Sequence, residues 1–125
     1  MIARTWHGRV GVNQADAYYD YLLRTGLNDY QRTPGNLGVL VLRRIDGGVA
    51  HFTLTSFWDS IDAITRFAGE PVDAARYYPE DDEYLLEREP LVTHQEMLML
   101  AASGIGASVT LEVRFTTTPD LRARS

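Results

Sequence analysis

The chain contains no cysteine and no lysine, and each absence excludes a class of chemistry. Without cysteine there is no thiol nucleophile, no thiolate-held metal cluster and no disulfide scaffold. Without lysine no Schiff base can form, which excludes pyridoxal-type covalent catalysis. All twelve basic residues are therefore arginines.

Long apolar runs and cofactor motifs are absent as well. No segment approaches the roughly 18 apolar residues that span a bilayer, and the first ten residues lack the apolar stretch of a signal peptide. The net charge of −5 argues against nucleic acid as a partner. There is no glycine-rich nucleotide loop and no nucleophile elbow. We therefore expect a cytoplasmic protein with no cofactor and no membrane or nucleic-acid partner.

The 125 residues fit one domain, which we place at 1–100, followed by a C-terminal extension at 101–125. Residues 2–10, 37–45, 49–58 and 91–100 have strand-like patterns, and Asp46-Gly47-Gly48 predicts a hairpin between the second and third strands. One helix is predicted from an Asn13 cap to Gly26, with a loop over 27–36. A second helix follows a cap at Asp59 or Ser60, and 71–89 is predicted to form one or two short helices.

The predicted order β-α-β-β-α-β is that of the ferredoxin-like α+β fold. It gives a four-stranded antiparallel sheet in the order 4-1-3-2, with helices on one face. The other face carries Ala3, Thr5 and Phe57 and has no cover within the chain, so we expect a homodimer joined through the sheet faces. In the extension, residues 101–108 have mostly small side chains, which predicts a flexible segment. Residues 109–115 alternate like a strand, and the remaining residues are predicted to be frayed.

Three segments resemble the antibiotic biosynthesis monooxygenase (ABM) superfamily, particularly its small bacterial members. They are MIARTWHGRV, LRRIDGGVAHFTLTSFWDS and AITRFAGEPVDAARYYPEDDEYLL, and the likeness covers about residues 1–97. The resemblance implies a dimeric α+β barrel. It also implies an oxygenase that oxidises an aromatic or polyketide-like molecule with O₂ and no organic cofactor. The alternative is a non-catalytic dimeric ligand-binding or stress-associated module, and the third hypothesis is a haem-degrading oxygenase.

Cofactor-free oxygenation requires a group that holds a phenolate or enolate and a group that moves its proton. We assign these catalytic roles to Arg76, Tyr77 and His7. The substrate pocket, expected to exceed about 300 Å³, lies between sheet and helices. Its predicted walls are Trp6, Trp58, Phe67 and Tyr78. For each aromatic residue the alternative is plain core packing, which strand parity favours for Trp58.

Two further hypotheses concern metals. In the haem-degrading members of the family, an asparagine in the first strand is essential and a helical histidine ligates the iron. At the matching positions this chain has Thr5-Trp6-His7 and Tyr77, and a tyrosinate can hold ferric iron. Separately, His7, His51 and His94 are all expected at one end of the sheet, where three imidazoles could bind a divalent metal. The alternative is three unconnected histidines on different faces.

Overall fold

The computed structural model describes residues 1–101, which form an α+β fold around a four-stranded antiparallel sheet. The strand order is β2-β3-β1-β4, as predicted. The strands are β1 (Ile2–Gly11), β2 (Asn36–Asp46), β3 (Val49–Trp58) and β4 (Thr93–Glu96). The helices are α1 (Ala15–Arg24), α2 (Gly26–Arg32) and α3 (Ile61–Ala68), with 3₁₀ turns at Val12–Gln14 and Pro79–Glu83.

Strict alternation in β1 and β3 separates the two faces of the sheet. Buried and half-buried residues alternate along both strands, because successive side chains of a strand point to opposite sides. Even-numbered residues from Arg4 to Val10 and from Ala50 to Trp58 face the helices. The odd-numbered ones form the other face, called here the outer face. The hairpin between β2 and β3 turns at Gly47, whose φ of 61° suits glycine.

The helical region between β1 and β2 is longer than predicted. A 3₁₀ turn precedes α1, so Asn13 is not its cap, and Gly26 begins a second helix instead of a loop. Leu27 and Tyr30 lie three residues apart in α2 and are both buried. This apolar face, at helical spacing, holds the segment against the sheet.

Residues 71–100 contain less regular structure than predicted. The only helical piece between 71 and 89 is the 3₁₀ turn at Pro79–Glu83, and the last strand has four residues. Backbone hydrogen bonds from Ala75 to Pro90 (2.9 Å) and from Val92 to Asp73 (2.9 Å) join the two parts of this segment instead. Leu98 is 83% exposed, so the end of the predicted strand is not part of the core.

The core lies between the helices and the inner face of the sheet. In α3, Ala63, Ile64 and Phe67 are buried, whereas Ile61, expected in the same stripe, is 44% exposed. The Ser60 hydroxyl caps this helix by accepting from the Ala63 N–H at 3.1 Å.

The extension at 101–125 lies almost entirely outside the described residues, so its predicted strand and frayed end stay predictions. Over residues 1–101, no helix combines the length and apolar character needed to cross a membrane.

Candidate functional site

A cavity of about 40 Å³ lies between the inner face of the sheet and the helices. It has room for a few atoms, well below the roughly 300 Å³ of ordinary ligand pockets. The expectation of a large pocket is therefore wrong for the monomer as it stands. Five of the predicted site residues line this cavity: Trp6, Phe67, Arg76, Tyr77 and Tyr78.

Trp58 packs in the core and is not among the residues that line the cavity. Its side chain is fully buried, and its Nε1 donates to the Ser56 hydroxyl at 2.8 Å. Its ring lies against Phe67 and Tyr30, with centroids at 5.6 and 6.1 Å. Trp58 therefore packs in the core, which is the alternative that strand parity favoured.

The feature that the sequence analysis missed is Arg4, which is only 2% exposed and lines the cavity. Its Nη1 donates to the Val72 carbonyl at 2.7 Å and its Nη2 to the Ala74 carbonyl at 3.0 Å. Its Nε is buried and makes no hydrogen bond within residues 1–101, although the Tyr30 hydroxyl lies near the guanidinium. Burial lowers the pKa of Arg4, and no ion pair among the described residues includes it.

His94 supports the Arg4 guanidinium from β4. Its Nε2 lies 3.0 Å from Nη1 of Arg4, and its Nδ1 lies 3.1 Å from Oδ1 of Asp73. Since arginine only donates, His94 Nε2 must accept, which leaves Nδ1 as the N–H that donates to Asp73. Burial and the Arg4 charge lower the pKa of His94, so the ring is neutral near pH 7.

A carboxyl group also lines the cavity. Asp81 is 5% exposed, and its Oδ2 accepts from the Tyr78 backbone N–H at 2.7 Å. Burial raises the pKa of Asp81 above its ordinary value. The cavity thus holds a desolvated cation and a carboxyl group whose proton affinity is increased, which is the combination that acid–base sites use.

Arg76 and Tyr78 lie at the mouth of the cavity. Arg76 is exposed, and its guanidinium covers the rings of Phe67 at 4.8 Å and Tyr78 at 5.1 Å. The Tyr78 hydroxyl donates to the Asp29 carboxylate, and burial together with this contact raises the pKa of Tyr78. Arg76 also contacts Asp29, at 3.4 Å, so its charge is already partnered.

The Tyr77 hydroxyl makes two hydrogen bonds. It accepts from Trp6 Nε1 at 3.0 Å and donates to the Glu89 carbonyl at 2.6 Å. Burial raises the pKa of Tyr77. These contacts keep the phenol protonated and oriented, an arrangement that does not favour a tyrosinate ligand for haem iron.

His7 lies on the outer face, separated by the sheet from Arg76 and Tyr77. Its Nδ1 contacts Glu89 at 2.6 Å and its Nε2 contacts His51 at 3.0 Å. His94 contacts Arg4 on the inner side, so the hypothesis of a three-histidine metal site is wrong. Within residues 1–101 no group of three His, Cys, Asp or Glu side chains is arranged to hold a metal ion.

The sequence matches no protein family model and no curated protein.

Proposed function

We propose that the chain binds a small anionic organic molecule, such as a carboxylate, phenolate or enolate, in the cavity lined by Arg4. The observation that carries this proposal is the buried guanidinium, which has no carboxylate partner among the described residues and an unused Nε–H. Burying an unpaired charge costs several kcal/mol. An anion in the cavity would offset that cost by pairing with the charge and accepting the free N–H.

The size of the cavity limits the ligand. About 40 Å³ accepts a carboxylate or the oxygen end of a phenol, and a whole aromatic ring requires the mouth to open. Arg76 and Tyr78 are the groups that would move, because they lie in an irregular segment and reach solvent. This supports a ligand of one ring or less and gives no support to a polycyclic polyketide.

The test uses 4-nitrophenol, whose phenolate absorbs visible light and whose neutral form does not. At a pH where the free probe is mostly neutral, wild-type protein should increase the phenolate band, because Arg4 favours the anion. Arg4→Gln should abolish the increase, and Arg44→Gln on the outer face should preserve it. Binding of equal strength to a folded Arg4→Gln variant would overturn the proposal, and acetate protection of the wild type against urea provides a second measurement.

We further propose that the protein is a cytoplasmic homodimer of the ABM type, with ferredoxin-like topology and an α+β barrel formed through the sheet faces. The strand order and the placement of helices on one face support this arrangement. On the outer face, Leu40 is 38% exposed near Thr55 and Phe57, and this apolar end is the surface that a second copy would cover.

The second candidate is a cofactor-independent monooxygenase acting on a small phenol, and Asp81 is the observation that favours it. Its raised pKa suits a base that removes the phenolic proton, while Arg4 stabilises the phenolate. The phenol and O₂ would then give a quinone and water, with one oxygen atom entering the ring. Oxygen consumption with phenol, and entry of ¹⁸O from O₂ into the quinone, should depend on both Arg4 and Asp81.

Loss of oxygen consumption in Asp81→Asn, with 4-nitrophenol binding retained, would support the oxygenase. If oxygen consumption does not exceed the autoxidation rate, the monooxygenase proposal is wrong and the proposal of ligand binding is unaffected. The haem-degrading hypothesis has less support from the geometry, because the Tyr77 hydroxyl is already engaged at both its lone pair and its proton. The absence of a Soret-band shift in a titration with haem would contradict the haem-degrading hypothesis.

A further inference from the structure

A shallow groove of about 220 Å³ lies on the outer face, at the end nearest the β2–β3 hairpin. It lies at the opposite end of the sheet from Ala3 and Phe57, because β1 and β3 pair antiparallel with Ala3 opposite Phe57 and Arg9 opposite His51. The groove stays accessible if the proposed dimer contact is confined to the end of the outer face that carries Leu40 and Phe57. The groove is lined by His7, Leu42, Arg43, Arg44, His51 and Thr53.

Three side chains form a continuous hydrogen-bonded chain at this groove. Glu89 Oε2 lies 2.6 Å from His7 Nδ1, and His7 Nε2 lies 3.0 Å from His51 Nδ1. The two imidazole centroids are 5.2 Å apart. This spacing is about the sum of two ring radii and one hydrogen bond, so the rings meet edge to edge.

The chain fixes the tautomers of both rings. The Glu89 carboxylate accepts, so His7 carries its proton on Nδ1 and accepts at Nε2. His51 must then donate from Nδ1, which leaves the lone pair of its Nε2 free of this chain. A proton taken up at His51 Nε2 is stabilised through His7 by the Glu89 carboxylate, as in the catalytic triads of hydrolases.

The charges around His51 keep it neutral near pH 7. Burial lowers its pKa, as do Arg44, His7 and Arg9, while Asp46 acts in the opposite direction. The ordinary histidine pKa is about 6.5, so the unprotonated base is the main form at neutrality. Arg44 pairs with Asp46 at 3.4 Å through two largely exposed side chains, a contact that an incoming anion can replace.

We propose that Glu89, His7 and His51 form a proton relay, with His51 Nε2 as a general base toward a small anionic ester bound beside Arg44. His51 removes a proton from water while the water oxygen forms a bond to the ester carbonyl carbon. The bond from that carbon to the leaving oxygen then breaks, and the leaving oxygen takes the proton from His51. The products are a carboxylic acid and an alcohol or phenol.

The substrate class follows from the lining of the groove. The Arg44 guanidinium favours a carboxylate on the substrate, and about 220 Å³ accommodates an acyl group of a few carbon atoms. This site is independent of the cavity at Arg4, which lies on the other side of the sheet, and its failure would not affect the proposed binding function.

Hydrolysis of the 4-nitrophenyl half-ester of succinic acid, compared with uncharged 4-nitrophenyl acetate, tests the proposal. We expect wild-type protein to hydrolyse the anionic ester with the higher kcat/KM, and the value to rise with pH to a plateau by about pH 7. His51→Ala should lower kcat/KM by roughly 100-fold, which is typical for loss of a general base. Glu89→Gln should lower it as well, because the relay loses its charge and the amide can donate to the ring and favour the other tautomer of His7.

Arg44→Gln should raise KM for the anionic ester and leave the acetate ester unaffected. Arg24→Gln, an exposed arginine on α1, is the matched control and should behave as wild type. A nitrogen NMR spectrum of the imidazoles should show His51 protonated at Nδ1 and bare at Nε2. Equal rates for wild type and His51→Ala, or the opposite tautomer at His51, would overturn the proposal.

Discussion

The side chains of Arg4 and His94 are hydrogen-bonded to each other, with 3.0 Å between Nη1 and Nε2. Because the guanidinium can only donate, this contact requires a neutral His94. A second proton on the ring would bring two cations together in a largely buried place. The position of the Arg4 guanidinium in the cavity therefore depends on pH.

Acid should weaken the fold through His94. Its folded-state pKa is lowered below the ordinary value of about 6.5, so the unfolded chain binds more protons in the window between the two values. Stability is complete above about pH 6.5 and falls as the pH drops through that window. Urea midpoints measured from pH 8 to pH 5 should show the decline, and His94→Gln should reduce its slope. His51→Gln provides the comparison for the other histidine with a lowered pKa, and an unchanged slope in His94→Gln would contradict this account.

Gly35 should tolerate no side chain, because two constraints coincide there. Its φ is 94°, and a Cβ at this position would lie 2.4 Å from the Ala63 Cβ and 2.9 Å from Asp59 Oδ1. We expect Gly35→Ala to cost about 2–5 kcal/mol, combining positive-φ strain with overpacking. Gly47→Ala shares the positive φ but has nothing within 4 Å, so it should cost about 1 kcal/mol. Equal urea midpoints for the two variants would show that the contact with α3 is unimportant.

The regular parts of the fold could be predicted because their signals are local. The span of β3 was predicted without error at 49–58, since strict alternation and the hairpin glycines define it. The missed helix at Gly26–Arg32 depends on packing of Leu27 and Tyr30 against the sheet, and the glycine and nearby proline obscured that spacing. The short β4 depends on backbone pairing between distant segments, which no local pattern contains.

The candidate site was harder to predict than the fold. Parity already placed Arg4 on the same face as Trp6 and Val10, which was the available signal for a buried arginine. The three histidines were expected at one end of the sheet, but His51 lies opposite Arg9 and His94 opposite Arg4, so that expectation is wrong for His94. The contact between His7 and Glu89 could not be predicted, because 82 residues separate them in the chain.

Truncation of Trp58 should be among the most damaging changes in the core. The side chain is fully buried, packs against Tyr30 and Phe67 and donates to Ser56. Trp58→Ala should lower the free energy of unfolding by about 3–5 kcal/mol, the range for a large buried aromatic residue. Leu91→Ala, at a side chain that is 66% exposed, should change it by less than about 0.5 kcal/mol. A loss near 1 kcal/mol at Trp58 would indicate that the surrounding core collapses into the space.

The homodimer should be sensitive to charge at the apolar end of the outer face. We expect Leu40→Glu to convert a dimer into a monomer in light-scattering measurements of mass, because an unpaired carboxylate would be buried in the interface. Leu23→Glu, on α1 and 45% exposed, places the same charge on the helical layer and should leave the dimer intact. If wild-type protein is monomeric at high protein concentration, the proposed sheet-to-sheet dimer is wrong.

Asp81 should lower the stability of the protein at neutral pH. Its folded-state pKa is raised above the ordinary value of 3.8, so stability is lost as the pH rises from 3.8 through the raised value. Asp81→Asn removes this titration and keeps an oxygen that can accept from the Tyr78 N–H. The variant should therefore melt at a higher temperature than wild type at pH 7, with the difference vanishing below about pH 3.8. Asp82→Asn, at a carboxylate that pairs with Arg88 near the surface, should give no gain. A lower melting temperature for Asp81→Asn at pH 7 would mean that the charged carboxylate stabilises the fold.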